Sequence, residues 1–321
     1  MKKNWLASAL ISTGLVISGL GMISNAVAFS ENSLPDMVLV KGGSFMQGTD
    51  EQDAAHNKRT SPLHQVKVSD FYLSSHEVTV EQFAYFVQQT GYVTDAERNA
   101  RVGTNEAKGC FVRSIAKQND AGWREGTSWK NPGFGQQPTH PVVCVSWDDA
   151  QAYVSWLSTA IGKNFRLPTE SEFEYAQRAG STRATFLTDK DNACEFFNFA
   201  DQSQQHAYGL EGQTAALCDD GYVTTSPVGK FAANPIGLFD MDSNVLEWVE
   251  DCWFGNYQGA PSDGSARQAP EGKTCKFRAL RGNDFMSPLN KVTAAHRSSI
   301  PHAFRVYHVG FRVALSNNSN N

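Results

Sequence analysis

The sequence predicts an α+β domain with modest regular structure. Three observations predict it. Three capped helix starts lie before Gly180, short apolar runs of strand length lie between and after them, and the chain beyond Gly180 is dominated by Gly, Asn, Asp, Pro and aromatic residues. Turn-forming residues punctuate the chain too often for long elements. The 20 Phe, 9 Tyr and 7 Trp supply large side chains that can pin irregular loops.

The elements follow in order. Met37 to Gly48 predicts a strand, a turn at Gly42-Gly43 and a second strand. His64-Gln65-Val66-Lys67-Val68 alternates like a half-buried strand. Thr79 caps a helix, with Gln82 completing a capping box, Phe83, Phe86 and Val87 on one face and Gly91 at the end. Ser146 caps the next helix, whose stripe is Trp147, Ala150, Val154 and Leu157 and whose stop is Gly162. Pro168 halts the segment before the third helix, where Thr169 and Glu172 form another box. Beyond Gly180 the strand-like runs are short, such as Val223-Thr224-Thr225 and Val309 to Ala314.

The flanks predict processing. Lys2 and Lys3 precede an apolar run from Trp5 to Ile23, and Ala26-Val27-Ala28 fits a cleavage site. Residues 1–28 therefore read as a signal peptide, 29–36 as a linker, 37–315 as the domain and 316–321 as a polar, disordered tail. This predicts an exported protein, periplasmic or secreted, with no stable membrane span after cleavage. Roughly 290 residues remain, enough for one large core. The net charge of −5 argues against a nucleic-acid partner. Six cysteines in an exported chain predict disulfides. Several pairings are possible, and neighbours are favoured: Cys110–Cys144, Cys194–Cys218 and Cys252–Cys275, each contributing about 3 kcal/mol by loop closure.

The run Arg166-Leu167-Pro168-Thr169-Glu170-Ser171-Glu172-Phe173-Glu174-Tyr175-Ala176-Gln177-Arg178-Ala179-Gly180 resembles the hallmark block of the formylglycine-generating-enzyme, or sulfatase-modifying-factor, family. Other blocks follow the family in order. They are the opening Met37 to Gly48, which resembles a hairpin; Glu77-Val78-Thr79 through Phe83; Pro141 to Ala150; Gly237 to Trp248; and the closing Gly310-Phe311-Arg312. The resemblance implies a variant of the C-type lectin fold. Fold alone does not imply activity.

In that family two thiolates hold copper(I), a choice that suits soft sulfur ligands. Here the matching motif reads Arg281-Gly282-Asn283-Asp284-Phe285-Met286-Ser287, and Ser287 stands at the first thiol position. Five residues on is Val292, and no cysteine follows Cys275. Asn283 and Asp284 replace a usual Gly and Ser, and Leu246 replaces a usual Trp. A copper cofactor is therefore not expected. The groove candidates are Asp284, Ser287 and His296, with His302 and His308 as further imidazoles near this segment.

The resemblance also implies structural calcium. One set is Asn198 and Asp220 with carbonyls of Phe199 and Tyr222. The other is Asp240 and Glu247 with carbonyls of Ser243 and Val245. Loss of the cysteine pair, export and these motifs resemble the exported branch that acts in oxidative maturation, as in pyoverdine-chromophore formation. The expected partner is a peptide, a protein or a small peptide-derived substrate. The alternative is a non-catalytic binding module that uses the lectin-like groove.

Overall fold

The computed structural model describes residues 34–50, 58–102, 106–114, 120–182, 193–208 and 218–317. The expected signal peptide and the last four residues lie outside them. Leu34 and Asp36, in the expected linker, already touch the domain: their carbonyls accept from Gln82 Nε2 at 3.1 Å and from the Ser75 main chain at 2.7 Å.

Two four-stranded sheets form the frame. The first orders β1 (Met37–Val40), β4 (Phe71–Ser74), β12 (Ala314–Ser316) and β7 (Phe165–Arg166). The second orders β10 (Arg297–Pro301), β9 (Phe277–Arg281), β8 (Leu246–Cys252) and β11 (Val309–Phe311), with β11 parallel to β8. Two small ribbons pair β2 (Gly43–Gln47) with β3 (His64–Val68) and β5 (Cys110–Arg113) with β6 (Ala121–Arg124).

The three capped helices form as the local sequence dictates. They are α1 (Val80–Thr90), α2 (Trp147–Ile161) and α3 (Glu170–Arg178). Each has both halves of its capping box. Gly91 and Gly162 close the first two in left-handed conformation, whereas Ala179, not Gly180, takes that position after α3. Phe83, Phe86, Tyr153, Val154 and Leu157 bury the facing sides of α1 and α2 in the larger core. Two short helices, α4 (Ala193–Phe196) and α5 (Gln202–Tyr208), follow.

Four expectations are corrected. The opening strands do not form a hairpin: β1 pairs with β4 and β2 with β3. Gly42 carries the chain between sheets, where a Cβ would lie 2.4 Å from the Val68 carbonyl oxygen. Val223 to Thr225 is not a strand. Its polar groups serve side chains instead, since the Thr224 carbonyl accepts from Asn198 Nδ2 at 2.8 Å and Thr225 Oγ1 meets His140 Nδ1 at 2.9 Å. The run Val309 to Ala314 breaks at Arg312 and Val313 into β11 and β12, one in each large sheet. Ser316, expected in the tail, pairs with Phe71 as the last residue of β12.

Four arginines, Arg281, Arg297, Arg305 and Arg312, are fully buried. Burial of a guanidinium requires partners. Arg281 donates to Glu174 Oε2 at 2.8 Å, Tyr257 Oη at 3.0 Å and the Ala294 carbonyl at 2.6 Å. Arg297 holds Glu170 and lies 3.9 Å from the Tyr257 ring centre. The glutamates of the hallmark helix α3 thus fasten it to β9 and β10. All three expected disulfides form, Cys110–Cys144, Cys194–Cys218 and Cys252–Cys275.

Candidate functional site

The segment after β9 turns back on itself at Asp284. Asp284 Oδ1 accepts from the Met286 main-chain N–H at 3.0 Å and from Ser287 Oγ at 2.8 Å. The Asp284 main-chain N–H donates to Ser287 Oγ at 3.1 Å. Asp284 and Ser287 are thus locked together, as an Asx turn favours. The Phe285 N–H donates to the Asn244 carbonyl at 3.0 Å, which ties this loop to the one before β8.

Two of the three candidate imidazoles join this turn. His308 Nε2 stands 3.7 Å from Asp284 Oδ2, and its Nδ1 is buried with no hydrogen-bond partner. His296 Nδ1 meets the Gly282 carbonyl at 2.8 Å. Burial lowers the pKa of both rings, so each is held neutral. His302 does not belong to the site. Its Nδ1 lies 2.6 Å from Asp148 Oδ2 at the start of α2, and both side chains are exposed.

Sequence reasoning missed the aromatic wall. Tyr307 donates its hydroxyl to Met286 Sδ at 2.7 Å and packs edge-on to Phe285 and Phe134. Tyr208, at the end of α5, is buried, and the Arg113 guanidinium lies 5.4 Å from its ring centre. Arg113 makes no hydrogen bond or ion pair with the described residues. Gln204 Nε2 donates to the Phe285 carbonyl at 2.5 Å, so α5 covers the turn. Tyr307 and His308 sit just ahead of the closing Gly310-Phe311-Arg312 block, and that adjacency was the available signal. Arg113 and Tyr208 carried none.

A copper(I) dithiolate does not fit these residues. It needs two thiolates. Ser287 occupies one position and the apolar Val292, packed with Phe197 and Phe199, the other. Every cysteine of the chain is in a disulfide.

The two calcium sets differ. In the first, Asp220 accepts from the main-chain N–H groups of Phe199 at 3.1 Å and Tyr222 at 2.7 Å, while Asn198 Oδ1 is buried and receives no hydrogen bond. Burial, with Asp201 beside it, pushes the Asp220 carboxyl up to about 7. In the second set Glu247 is committed elsewhere, because Arg312 holds both its oxygens at 2.8–3.0 Å. Only Asp240 keeps an oxygen, Oδ1, with no partner, and burial pushes its carboxyl up to about 6. Among the described residues no group of three or more His, Cys, Asp and Glu is arranged to hold a metal ion. Any cation would therefore need amide and carbonyl oxygens as well, which is the donor mixture calcium accepts.

A sulfatase-modifying factor enzyme 1-like domain matches residues 24–317. A formylglycine-generating enzyme from Thermomonospora curvata is 34% identical over 87% of this chain and 92% of its own length. The structure of PvdO from Pseudomonas aeruginosa is 31% identical, superposes with a TM-score of 0.69 and covers 88% of this chain and 95% of that one. Variable protein 1 of Treponema denticola shares the fold at 18% identity, with a TM-score of 0.60 over 87% of this chain and 94% of that one.

Proposed function

The chain belongs to the sulfatase-modifying factor family, and from that premise we propose that it acts in oxidative maturation of a peptide, protein or small peptide-derived substrate at the Asp284 groove, by chemistry other than a copper dithiolate. The likeness to PvdO places it beside the branch without the cysteine pair. One observation carries the reading. Where relatives need a thiol, Ser287 is fastened to an aspartate whose second oxygen faces a neutral, half-buried histidine. That pair can take a proton from a bound substrate. Dehydrogenation removes two protons and two electrons from the substrate, and dioxygen, the co-reactant of this proposal, would accept them and leave as hydrogen peroxide.

Export belongs to the same proposal. Three disulfides persist in an oxidising compartment. Among the described residues no helix is long and apolar enough to cross a membrane. Structural calcium is also part of it, with Asn198 and Asp220 supplying side-chain oxygens to one ion.

The test is deletion of the gene in its host, with mass spectrometry of exported peptides and their derivatives. The expected result is a precursor heavier than the mature product by two hydrogens, cleared by the intact gene and not by Asp284→Ala. Clearance by Asp284→Ala would end the catalytic assignment. Incubation of the purified protein with a C-x-P-x-R peptide should yield no aldehyde, even with copper.

A second reading, a binding module without catalysis, draws on Arg113. A guanidinium that pairs with no carboxylate among the described residues and lies 5.4 Å from the Tyr208 ring centre suits capture of an anionic aromatic group. In that case deletion would leave every exported product at its mature mass.

A further inference from the structure

A cavity lies at the end of β9 away from the groove. It measures about 450 Å³ and is lined by Trp147 and Asp148 at the start of α2, Lys273 and Thr274 in the loop before β9, Arg278 of β9 itself and His302 after β10. Its frame is braced. The Cys252–Cys275 disulfide ties the Lys273 loop to β8, the Lys273 N–H donates to the Pro270 carbonyl at 2.9 Å, and the Trp147 N–H donates to the His302 carbonyl at 2.9 Å. Trp147 Nε1 donates to the Val249 carbonyl at 2.9 Å, which fixes the indole, and the Arg278 guanidinium lies 3.6 Å from the ring centre.

Arg278 is held but not neutralised. Among the described residues only its Nη1 is engaged, with the Glu250 carbonyl at 2.8 Å and, more weakly, with Cys252 Sγ at 3.9 Å. Its Nε is buried and has no hydrogen-bond partner. The fully buried arginines are matched: Arg281, Arg297 and Arg312 by glutamates, and Arg305 by main-chain carbonyls. Arg278 has no carboxylate, and Lys273 makes no ion pair with the described residues. The one carboxylate in the lining, Asp148, is engaged by His302 Nδ1 at 2.6 Å. Burial draws the Arg278 pKa below the ordinary guanidinium value, against the pull of Asp148, Glu250 and Asp251.

We propose that this cavity binds a tetrahedral oxyanion, phosphate or sulfate, with Arg278 and Lys273 as its counter-charges and the Thr274 hydroxyl as a neutral donor. Two cations without carboxylates match a dianion. A half-buried guanidinium with donors to spare favours a ligand that brings acceptors. The planar guanidinium suits a pair of oxyanion oxygens, and the ammonium adds a point charge. The indole and the Glu250 carbonyl hold the guanidinium in place before the ligand arrives, so little side-chain freedom is lost on binding. The cavity is larger than the ion, so it also admits a phosphoryl or sulfo group carried on a larger molecule.

The experiment is calorimetric titration of the purified protein with sodium phosphate, sodium sulfate and glycerol 3-phosphate at constant ionic strength, with sodium chloride as the control. One oxyanion should bind per chain, and chloride should give no saturable heat. Tighter binding of glycerol 3-phosphate than of phosphate assigns the site to an ester, and the reverse order assigns it to the free ion. Arg278→Gln should weaken binding by about tenfold or more, and Lys273→Gln should weaken it less. Asp148→Asn removes the negative charge from the lining and should tighten it. Arg113→Gln, in the groove, should change nothing. Failure of every oxyanion to bind the wild type would overturn the proposal. So would loss of binding in Arg113→Gln with retention in Arg278→Gln, which would put the anion in the groove. Should Arg278→Gln fail to fold, the two surface variants at Lys273 and Asp148 decide, and unchanged affinity in both counts against the site.

Discussion

Ser287 Oγ donates to Asp284 Oδ1 at 2.8 Å and accepts from the Asp284 main-chain N–H at 3.1 Å. The hydroxyl therefore shapes the turn, and the carboxyl is the group with a free face, toward His308. Ser287→Ala should cost about 1 kcal/mol of stability and leave part of the maturation activity. Asp284→Ala should abolish that activity. Complementation of the deletion strain, scored by the ratio of precursor to product, separates the two. Equal loss in both variants would mean that the turn's shape, not the carboxyl, matters.

The Glu247–Arg312 pair makes a different prediction. Both side chains are fully buried, and Arg312 also donates to the Phe239 carbonyl at 3.0 Å. Arg312→Met leaves Glu247 charged and alone in the core, so unfolding free energy should fall by roughly 3–5 kcal/mol. Adding Glu247→Leu should recover part of that loss, because no unpaired charge is then left behind. Denaturant melts of the single and double variants measure it. A double variant no better than Arg312→Met would show that packing and the carbonyl bonds dominate.

The contrast between what was legible and what was not follows chain distance. Capping boxes at Thr79, Ser146 and Thr169 join residues three apart, so the sequence displayed them directly. Neighbour pairing also predicted the three disulfides. Pairing of the opening strands was misjudged because β1 and β2 choose partners on the far side of Gly42, and no local signal records that. The Val309 to Ala314 run reads as one strand because Val309, Phe311 and Val313 alternate; the break between sheets falls at Arg312, which is buried against Glu247. The groove was half visible. Asp284, Ser287, His296 and His308 lie close along one motif-rich segment, whereas Arg113 and Tyr208 reach it from other parts of the chain. Glu77 sits within a family block but shows no partner in the sequence, because Asn244, which donates to its Oε1 at 3.1 Å, stands far along the chain.

The Cys194–Cys218 disulfide should act on the groove. It spans α4 and α5, and the segment it secures rests on the turn: the Ala200 N–H donates to the Ser287 carbonyl at 3.1 Å, and Gln204 reaches the Phe285 carbonyl. A Cys194→Ser, Cys218→Ser protein should lose about 3 kcal/mol by the loop-closure model. Amide hydrogen exchange should quicken in α5 and at residues 285–288, with α1 and α2 unaffected. The corresponding Cys252 and Cys275 variant should leave the groove protected, and exchange that quickens there equally would contradict a local role.

The pH dependence of stability should carry the mark of His296. Burial depresses its pKa below the ordinary 6.5, and its Nδ1 is engaged with the Gly282 carbonyl. The sign follows from proton counting. Between the depressed folded value and 6.5 the unfolded chain binds a proton that the folded protein refuses, so stability falls as pH drops through that window. His308 is depressed by burial in the same way and should add to the slope. Replacing His296 with Gln keeps a side-chain amide able to meet the carbonyl and removes the titration. The difference in unfolding free energy between wild type and His296→Gln should therefore shift in favour of the variant from about pH 7 to about pH 5. Denaturant melts across that range measure it directly. A constant difference would mean that His296 titrates in the fold as it does in water, and a shift of opposite sign would mean that its charged form is the one the groove holds.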